Sequence, residues 1–235
     1  MKRWSFKFRT HNLEQRDILP DNSNYHCPLC QSVDTSLFAR DKKRDYQRCE
    51  TCKLVSVPGE FHLNASQEKA EYDKHQNDPQ DKGYQGFLAR TTQPLFSRMN
   101  AQSDGLDFGC GPGPAISDMA KEYELKVSNY DLYYFNNPEL LKLKYDFVTM
   151  TEVIEHIARP APLLEQLDSL LRPCAILAIM TKRVLDEEAF KRWHYKNDPT
   201  HISFYSIETF EWIAEKLNWQ LEVIEQDVVF FHKSQ

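Results

Sequence analysis

A glycine-rich turn near the middle of the chain restricts its fold more than any other feature. Residues 106–113 read Leu-Asp-Phe-Gly-Cys-Gly-Pro-Gly: an apolar stretch ends at Asp107, and glycines follow at 109, 111 and 113. A helical pattern begins directly afterwards, at Pro114. Glycine accepts positive φ and lets a ligand approach the bare backbone, and a helix start offers unpaired N–H groups. The segment predicts a strand, a ligand-binding turn and a helix, with a G-x-G-x-G spacing unlike the G-x-G-x-x-G of dinucleotide-binding folds.

Strand and helix patterns alternate after this turn. We predict strands at 105–108, 126–130, 145–150 and 174–180, and helices at 114–123, 159–171 and 207–217. Such alternation favours an α/β fold with a doubly wound, mostly parallel sheet. The last two strands, at 219–224 and 227–231, are too close in sequence for a crossover, so we expect an antiparallel hairpin.

The glycine turn and the hairpin ending resemble the class I S-adenosylmethionine (SAM) methyltransferases, in which the turn holds the amino-acid end of SAM. The resemblance implies a seven-stranded type of sheet. Only thirteen residues, Leu132 to Lys144, separate the second predicted strand from the next one. We therefore expect the third strand of that sheet to be reduced, which would alter the adenine side of the cofactor pocket.

An aspartate at the end of the second strand fits the same interpretation. Asp131 lies eighteen residues after Gly113, and a carboxylate there can accept both ribose hydroxyls of a nucleoside. The resemblance further implies that Asp107 orders the turn and the amino group of SAM. The predicted cofactor-binding set is Asp107, Gly109, Cys110, Gly111, Gly113, Asp131, Leu132 and Thr151. The alternative is a glycine turn without a ligand and an ordinary acid at a strand end.

Four of the six cysteines form two C-x-x-C pairs. Cys27 and Cys30 are separated from Cys49 and Cys52 by eighteen residues, a spacing typical of a tetrahedral zinc site. Four thiolates close the coordination sphere, so the zinc would be structural. Cys110 and Cys174 fall outside the pattern, and we expect both to be buried. Similar ribbons precede ribosomal RNA methyltransferases and sugar C-methyltransferases, so this one does not decide the substrate.

The predicted domains are 1–60 with the ribbon, a helical lid or linker at 61–100, and the catalytic domain at 101–235.

A second metal-like pattern follows the strand at 145–150. Glu152, Glu155 and His156 would share one face of a helical turn, and the segment resembles the E-x-x-E-H motif of two branches of the methyltransferases. These are the ubiquinone-pathway O-methyltransferases and the small-RNA 2′-O-methyltransferases. The resemblance implies a divalent cation, and His201 stands where the RNA branch has a further histidine. Two carboxylates and two imidazoles suit Mg²⁺, Mn²⁺ or Zn²⁺. In the alternative without metal, Glu152 borders the cofactor and His156 is a base.

The aromatic segment 193–201 would lie at the carboxyl end of a central strand, where this fold class binds its substrate. It contains His194, a candidate general base beside His156 and Glu152. A histidine on a surface loop is the alternative.

Composition narrows the class of protein. Hydrophobic residues make up 41% of the 235 residues and the net charge is −6. No stretch is apolar enough for a membrane span, and the N-terminus lacks the apolar region of a secretory signal, so we expect a cytoplasmic protein. Residues 1–53 carry 11 basic and 7 acidic residues, and the remainder carries 18 and 28. A positive front segment favours an anionic partner, and a solvated surface is the alternative.

The sequence thus predicts a SAM-dependent methyltransferase with a structural zinc ribbon. Its acidic catalytic part and aromatic loop favour a small-molecule or sugar-like substrate, because an acidic surface repels phosphates. The positive front segment and the E-x-x-E-H resemblance favour RNA instead. A non-catalytic scaffold protein is the third alternative. The oligomeric state and the methylated atom, whether oxygen, nitrogen or carbon, stay open.

Overall fold

The structure is a computed structural model that describes residues 25–74 and 77–235. The N-terminal lead-in, with its basic and aromatic residues, lies outside this range. A six-stranded sheet forms the centre, in the order β5-β4-β6-β7-β10-β9. Its strands are β4 (Asp104–Phe108), β5 (Lys126–Tyr130), β6 (Tyr145–Thr151), β7 (Leu171–Met180), β9 (Trp219–Val223) and β10 (Val228–Lys233).

The direction of the strands follows the predicted topology. β5, β4, β6 and β7 are parallel, whereas β10 pairs antiparallel with both β7 and β9. Leu106, Val148 and Leu177 are neighbours across β4, β6 and β7, and all three are fully buried. Such a continuous apolar row is expected of a sheet that is covered on both faces. The predicted doubly wound sheet and its C-terminal hairpin are confirmed.

The third strand of the seven-stranded arrangement is missing from the described sheet. After β5 the chain makes an isolated bridge between Asp131 and Phe135, and a short 3₁₀ helix follows at Pro138–Lys142. β5 is therefore an edge strand, as the short spacing between the strands predicts.

Six α-helices surround the sheet in the described part of the chain. They are α1 (Ala65–Tyr72), α2 (Lys82–Phe96), α3 (Ile116–Met119), α4 (Pro160–Leu170), α5 (Glu187–Arg192) and α6 (Ile207–Leu217). Ser206 accepts from the backbone N–H of Thr209 and caps α6, as its sequence position suggests. The helix after the glycine turn differs from the prediction, since it begins at Ile116 and becomes a 3₁₀ helix at Ala120. No helix among the described residues is long and apolar enough to cross a membrane.

A second, antiparallel sheet joins the cysteine ribbon to the rest of the molecule. It has the order β1-β2-β3-β8, with β1 (Thr35–Arg40), β2 (Asp45–Cys49), β3 (Val55–Ser56) and β8 (Ser203–Phe204). Val55 pairs with Phe204 across β3 and β8. Ribbon residues Leu29 and Leu54 pack in the same apolar cluster as Leu177 of the central sheet. The ribbon therefore shares its sheet and its core with segments that lie beyond residue 200.

Candidate functional site

The glycine turn lies at the carboxyl end of β4, and its shape requires glycine at two positions. Gly109 and Gly111 have φ of +78° and +64°. A Cβ on Gly109 would lie 2.5 Å from a methyl group of Val153, and a Cβ on Gly113 would lie 1.8 Å from the carbonyl oxygen of Asn77. The backbone N–H groups of Gly109 and Cys110 donate to the carbonyl of Tyr130. The turn is therefore packed between Val153, in the loop that follows β6, and Asn77, in the segment before α2.

Asp131 faces the glycine turn, as predicted. One carboxylate oxygen accepts from the backbone N–H of Gly111 at 3.1 Å. The other accepts from the backbone N–H groups of Tyr133 and Tyr134 at 2.8 and 3.1 Å. A carboxylate has about four acceptor positions, so three local bonds orient Asp131 and leave acceptor capacity for a ribose hydroxyl. The geometry fits the nucleoside part of a cofactor.

Asp107 is a buried carboxyl group below the turn. Its side chain accepts a hydrogen bond of 2.9 Å from the hydroxyl of Thr149. Burial, and to a lesser extent the charge of Asp131, raises the pKa of Asp107 to about 7. An ammonium group above the turn would stabilise the ionised form. Among the other predicted cofactor residues, Cys110 is buried, Thr151 is half-buried and Leu132 is 59% exposed.

Two glutamates after β6 meet at a tyrosine hydroxyl. The Tyr195 hydroxyl lies 2.6 Å from Glu155 Oε1 and 3.2 Å from Glu152 Oε2. Burial raises the pKa of Glu155 to about 7, and burial together with the charge of Glu155 raises that of Glu152 to about 8. The second oxygen of each carboxyl group is buried and has no hydrogen-bond partner in the structure. Glu152 also has φ +54°, an uncommon conformation for a residue other than glycine.

Two histidines lie against Glu155. One ligand atom from each of Glu155, His156 and His201 lies within 4.8 Å of the other two. His156 Nδ1 contacts the carbonyl oxygen of Thr200 at 3.2 Å, and His201 Nδ1 contacts that of Tyr195 at 2.8 Å. A carbonyl only accepts, so Nδ1 carries a proton in both contacts, and in a neutral ring Nε2 then has the lone pair. Metal-binding histidines in proteins have this arrangement. Burial, followed by the nearby His156, lowers the pKa of His201 to about 4 and keeps it neutral.

The predicted four-ligand set is only partly assembled. Glu155, His156 and His201 converge, whereas Glu152 is not part of this group and reaches it through Tyr195. The prediction that Glu152 shares a helical face with the other two does not match the backbone. Glu152 precedes the 3₁₀ turn Ile154–His156 in a left-handed conformation, so its carboxyl group points to the Tyr195 hydroxyl and lies outside the group of Glu155 and the two histidines.

α1 covers His156. The Tyr72 ring packs edge-on against His156 with centroids 5.3 Å apart, and it also contacts Tyr133. Glu68 accepts from the hydroxyls of Tyr72 and Tyr133, both at 2.8 Å. The bond from Tyr133 connects α1 to the turn that contains Asp131, whereas the bond from Tyr72 lies within α1, so this helix covers the site.

His194 contacts Lys182, which lies beside Tyr195. It is exposed, and its Nε2 is 3.5 Å from Lys182 Nζ. Lys182 follows β7, lies 5.3 Å from the centroid of the Tyr195 ring, and contributes a positive charge that acts on Glu152. No carboxylate forms an ion pair with Lys182 in the described part of the chain.

The four ribbon cysteines form a separate cluster. Their sulfur atoms all lie within 4.8 Å of one another, and the Cys27–Cys52 and Cys30–Cys49 pairs are 3.4 Å apart. Disulfide sulfurs would be about 2 Å apart. A side-chain hydrogen bond with Cys30, followed by burial, raises the pKa of the Cys27 thiol to about 12. The cluster is compatible with a zinc ribbon. Of the two other cysteines, Cys110 is buried as expected, but Cys174 is exposed at a left-handed position before Ala175.

A cavity lies outside this region, beside the edge strand. It measures about 650 Å³ and is lined by Asp104, Ser117, Lys121, Asn129 and Arg172. Asp104 and Arg172 mark the amino ends of β4 and β7, whereas ligands of doubly wound sheets bind at the carboxyl ends. We therefore assign the functional site to the glycine turn and the Glu155 cluster.

Sequence reasoning missed three contributors to this site, namely Tyr72, Lys182 and Tyr195. Each comes from a different segment and has no spacing relation to the glutamates. The aromatic character of segment 193–201 is the only signal that pointed to Tyr195.

Comparison with known proteins identifies one family. Residues 80–224 match the family described as a methyltransferase domain, which is more than half of the chain. The match includes the glycine turn, Asp131, and the Glu155, His156 and His201 cluster. A search of the curated proteins finds no match.

Solved structures give more distant similarity. A protein from Pyrococcus horikoshii is 13% identical, with 66% of this chain and 93% of that chain covered at a TM-score of 0.49. A SAM-dependent methyltransferase from Archaeoglobus fulgidus is 20% identical, with 60% and 76% covered and a TM-score of 0.44. Phosphoethanolamine N-methyltransferase 2 from Haemonchus contortus, in complex with SAM, is also 20% identical, with 56% and 37% covered and a TM-score of 0.42.

Proposed function

The chain belongs to the methyltransferase-domain family and is a SAM-dependent methyltransferase; on that premise we propose that it methylates a hydroxyl group of a small polar or sugar-like molecule, assisted by a divalent cation. The proposal combines three regions near the carboxyl ends of the parallel strands: the glycine turn, the Glu155 cluster and the surface around Tyr195. Each part has a separate chemical task.

The glycine turn and Asp131 form the cofactor part of the site. When bound, SAM supplies a methyl group on a sulfonium centre. In this proposal the turn and Asp107 hold its amino-acid end, and Asp131 accepts from the ribose. Leu132 and Thr151 flank the same pocket, while Cys110 contributes backbone. Catalysis then rests on positioning, because an in-line transfer needs a nucleophile held close to the methyl carbon.

The convergence of Glu155, His156 and His201 is the observation that carries the cation proposal. Both imidazoles have their protonated nitrogen on a backbone carbonyl, and Glu155 has a buried oxygen without a partner. A cation bound beside Glu155 would offset the burial that raises the pKa of its carboxyl group. Mn²⁺, a transition-metal ion that accepts carboxylate oxygens, suits this set of two imidazoles and one carboxylate better than Mg²⁺, which prefers oxygen ligands alone. A bound cation would acidify a substrate hydroxyl.

Glu152 is the proposed general base of this site. Its pKa of about 8 lies near neutral pH, where a base is most effective. The hydroxyl of Tyr195 orients it relative to Glu155. In a site without metal His156 would take this role, and His194 is the other candidate base.

Lys182 provides the positive part of an otherwise acidic site. Its Nζ lies beside the Tyr195 ring and 3.5 Å from His194 Nε2, and it is suited to one carboxylate or phosphate group of a substrate. We therefore expect an anionic small molecule. Lys182→Gln should weaken its binding, whereas Lys191→Gln, on the exposed face of α5, should leave it unchanged.

RNA is the second candidate substrate, and the cation cluster is the observation that favours it. Transfer of label from methyl-tritiated SAM separates the two. Label in acid-soluble metabolites supports the small-molecule proposal, whereas label in precipitated RNA together with strongly salt-dependent RNA binding refutes it. Binding of partners without any methyl transfer would indicate a scaffold role.

Manganese binding tests the cation proposal directly. Zinc-loaded protein titrated with Mn²⁺ and followed by electron paramagnetic resonance should bind about one ion per chain. Glu155→Gln should abolish that binding and leave SAM affinity intact, whereas Glu165→Gln on α4 should change neither. Equal Mn²⁺ affinity in wild type and Glu155→Gln would refute the site.

The ribbon is proposed to hold one structural zinc through Cys27, Cys30, Cys49 and Cys52. Four sulfurs within 4.8 Å of one another, three of them on buried cysteines, would fill a tetrahedral zinc site and leave no open coordination position. Elemental analysis of freshly purified protein should give about one zinc per chain.

A further inference from the structure

A buried arginine connects the cysteine ribbon to the candidate active site. Arg44 belongs to the turn between β1 and β2 and is only 7% exposed. In the described part of the chain it forms no ion pair with a carboxylate. Its guanidinium instead donates to backbone carbonyls of segment 196–201, which is more than 150 residues away in sequence.

Each terminal nitrogen of the Arg44 guanidinium donates to two backbone carbonyls. One terminal nitrogen donates to the carbonyls of Pro199 and His201 at 3.3 and 2.9 Å. The other donates to the carbonyls of Lys196 and Asp198, the latter at 3.0 Å. A planar guanidinium has five donors in a fixed fork, and an ammonium group has no equivalent geometry. Burying a charged group is costly unless it is hydrogen-bonded, so these four bonds fix the loop to the ribbon.

The same loop supplies both carbonyls that orient the histidines. Thr200 accepts from His156, and Tyr195 accepts from His201. The Tyr195 carbonyl directly precedes that of Lys196, and the Thr200 carbonyl lies between those of Pro199 and His201, all three of which Arg44 holds. A shift of the loop would therefore move both imidazoles and the Tyr195 hydroxyl together.

Several contacts within the ribbon hold Arg44 and its turn in place. Asp41 accepts from the Arg44 backbone N–H at 3.0 Å and from the Tyr46 hydroxyl at 2.8 Å. The guanidinium lies 5.4 Å from the centroid of the Tyr46 ring, and Lys196 reaches back to Asp41 at 3.3 Å. β3 and β8 add backbone pairing directly after His201.

We propose that Arg44 is a positioning residue of the methyltransferase site: it holds segment 195–201 so that His156 and His201 keep the orientation needed for their chemistry. The ribbon is then part of the active-site scaffold. This inference rests on the proposed role of the two histidines, and the structural part of it is testable without any substrate.

Arg44→Lys is the informative substitution because it keeps the charge and removes the fork. The side-chain ¹H–¹⁵N spectrum of histidine reports the tautomer of each ring. We expect wild-type His156 and His201 to show the Nδ1–H form and Arg44→Lys to show averaged tautomers. Arg48→Lys is the control, since Arg48 also lies on the ribbon but packs on Phe38. Zinc content and SAM affinity should stay unchanged in both variants.

Mn²⁺ affinity provides a second measurement. Loss of support for metal ligands typically lowers affinity 10- to 100-fold, so we expect at least about a tenfold loss in Arg44→Lys. If wild type binds no Mn²⁺, the cation proposal fails while the tautomer measurement still tests Arg44. Unchanged tautomers in Arg44→Lys would overturn the inference.

A measurement on the wild-type protein covers the case in which Arg44 variants do not fold. A guanidinium held by four carbonyls should show slowly exchanging, non-equivalent Nη protons with contacts to residues 196–201. Rapid rotation of the Arg44 guanidinium would overturn the proposal by itself.

Discussion

Replacing Asp107 with asparagine tests how burial controls the base of the cofactor turn. The substitution keeps the shape of the side chain and its ability to accept from Thr149, but it removes the ionisable group. Asp107 is 3% exposed and lies between Thr149 and the turn. We expect Asp107→Asn to change the free energy of unfolding mainly at higher pH and to change it little at low pH.

The size of the effect follows from the shifted pKa. The pKa of Asp107 is about 7 in the folded protein and 3.8 for an ordinary aspartate, a difference that corresponds to about 4 kcal/mol. Because the folded-state pKa is raised, the folded protein holds the proton more tightly than the unfolded chain does between these two values. Stability is therefore lost as pH rises from about 4 to about 7, and the full cost of the buried charge applies above pH 7.

Thermal unfolding between pH 4 and pH 8 measures this loss. Relative to wild type, Asp107→Asn should become progressively more stable with pH, by up to about 4 kcal/mol, or roughly 10 °C in Tm for a chain of this size. Asp118→Asn, an exposed site on α3, is the control and should follow wild type. If Asp107→Asn and wild type showed the same pH dependence, Asp107 would not be a buried acid with a raised pKa.

Three further predictions concern the cofactor turn and the ribbon. Asp131→Ala should weaken SAM binding about 100-fold in calorimetry, because a charged hydrogen bond contributes roughly 1.5–3 kcal/mol, with circular dichroism as the fold control; unchanged affinity would contradict the assigned role. Gly113→Ala should displace the segment at Asn77, whose carbonyl a Cβ would meet at 1.8 Å, and hydrogen exchange at 77–81 should rise relative to Gly86→Ala, where no atom lies within 4 Å. Cys49→Ser should lose the zinc and increase exchange across residues 195–202 while β4 stays protected, and retention of full zinc occupancy would refute the ribbon assignment.

The fold was largely predictable because its pattern is local. β5 and α6 occupy 126–130 and 207–217, as their sequence patterns predict, and each is bounded by a clear change of polarity. The glycine turn and Asp131 were also found from the sequence, since glycine spacing and a strand-end acid lie within 25 residues. The short α3 was less predictable: Pro114 marks a favourable helix start, but the backbone between Gly113 and Ala115 continues the turn and delays the helix to Ile116.

The geometry of the candidate site was harder to predict from the sequence because it depends on contacts between distant segments. Helical periodicity placed Glu152 with Glu155 and His156, but the left-handed backbone at Glu152 directs it to Tyr195 instead. No local pattern predicts that conformation, since only the fixed surroundings of β6 and β7 stabilise it: the N–H of Glu152 donates to the carbonyl of Met180. The hydroxyl of Tyr195 then reaches both glutamates, a relation between residues 40 or more positions apart.

The relation between the ribbon and the catalytic domain follows from the same kind of distant contact. The cysteine spacing indicates a module that could stand alone, and a boundary near residue 60 is a reasonable prediction from sequence. In the structure, β3 has only two residues and forms a sheet edge that needs another strand, which β8 provides immediately after His201. Arg44 is buried at the same junction and finds its acceptors only in segment 196–201. A ribbon separated from that segment would leave a charged guanidinium and a strand edge without partners, so we expect the ribbon and the loop that contains His201 to fold as one unit.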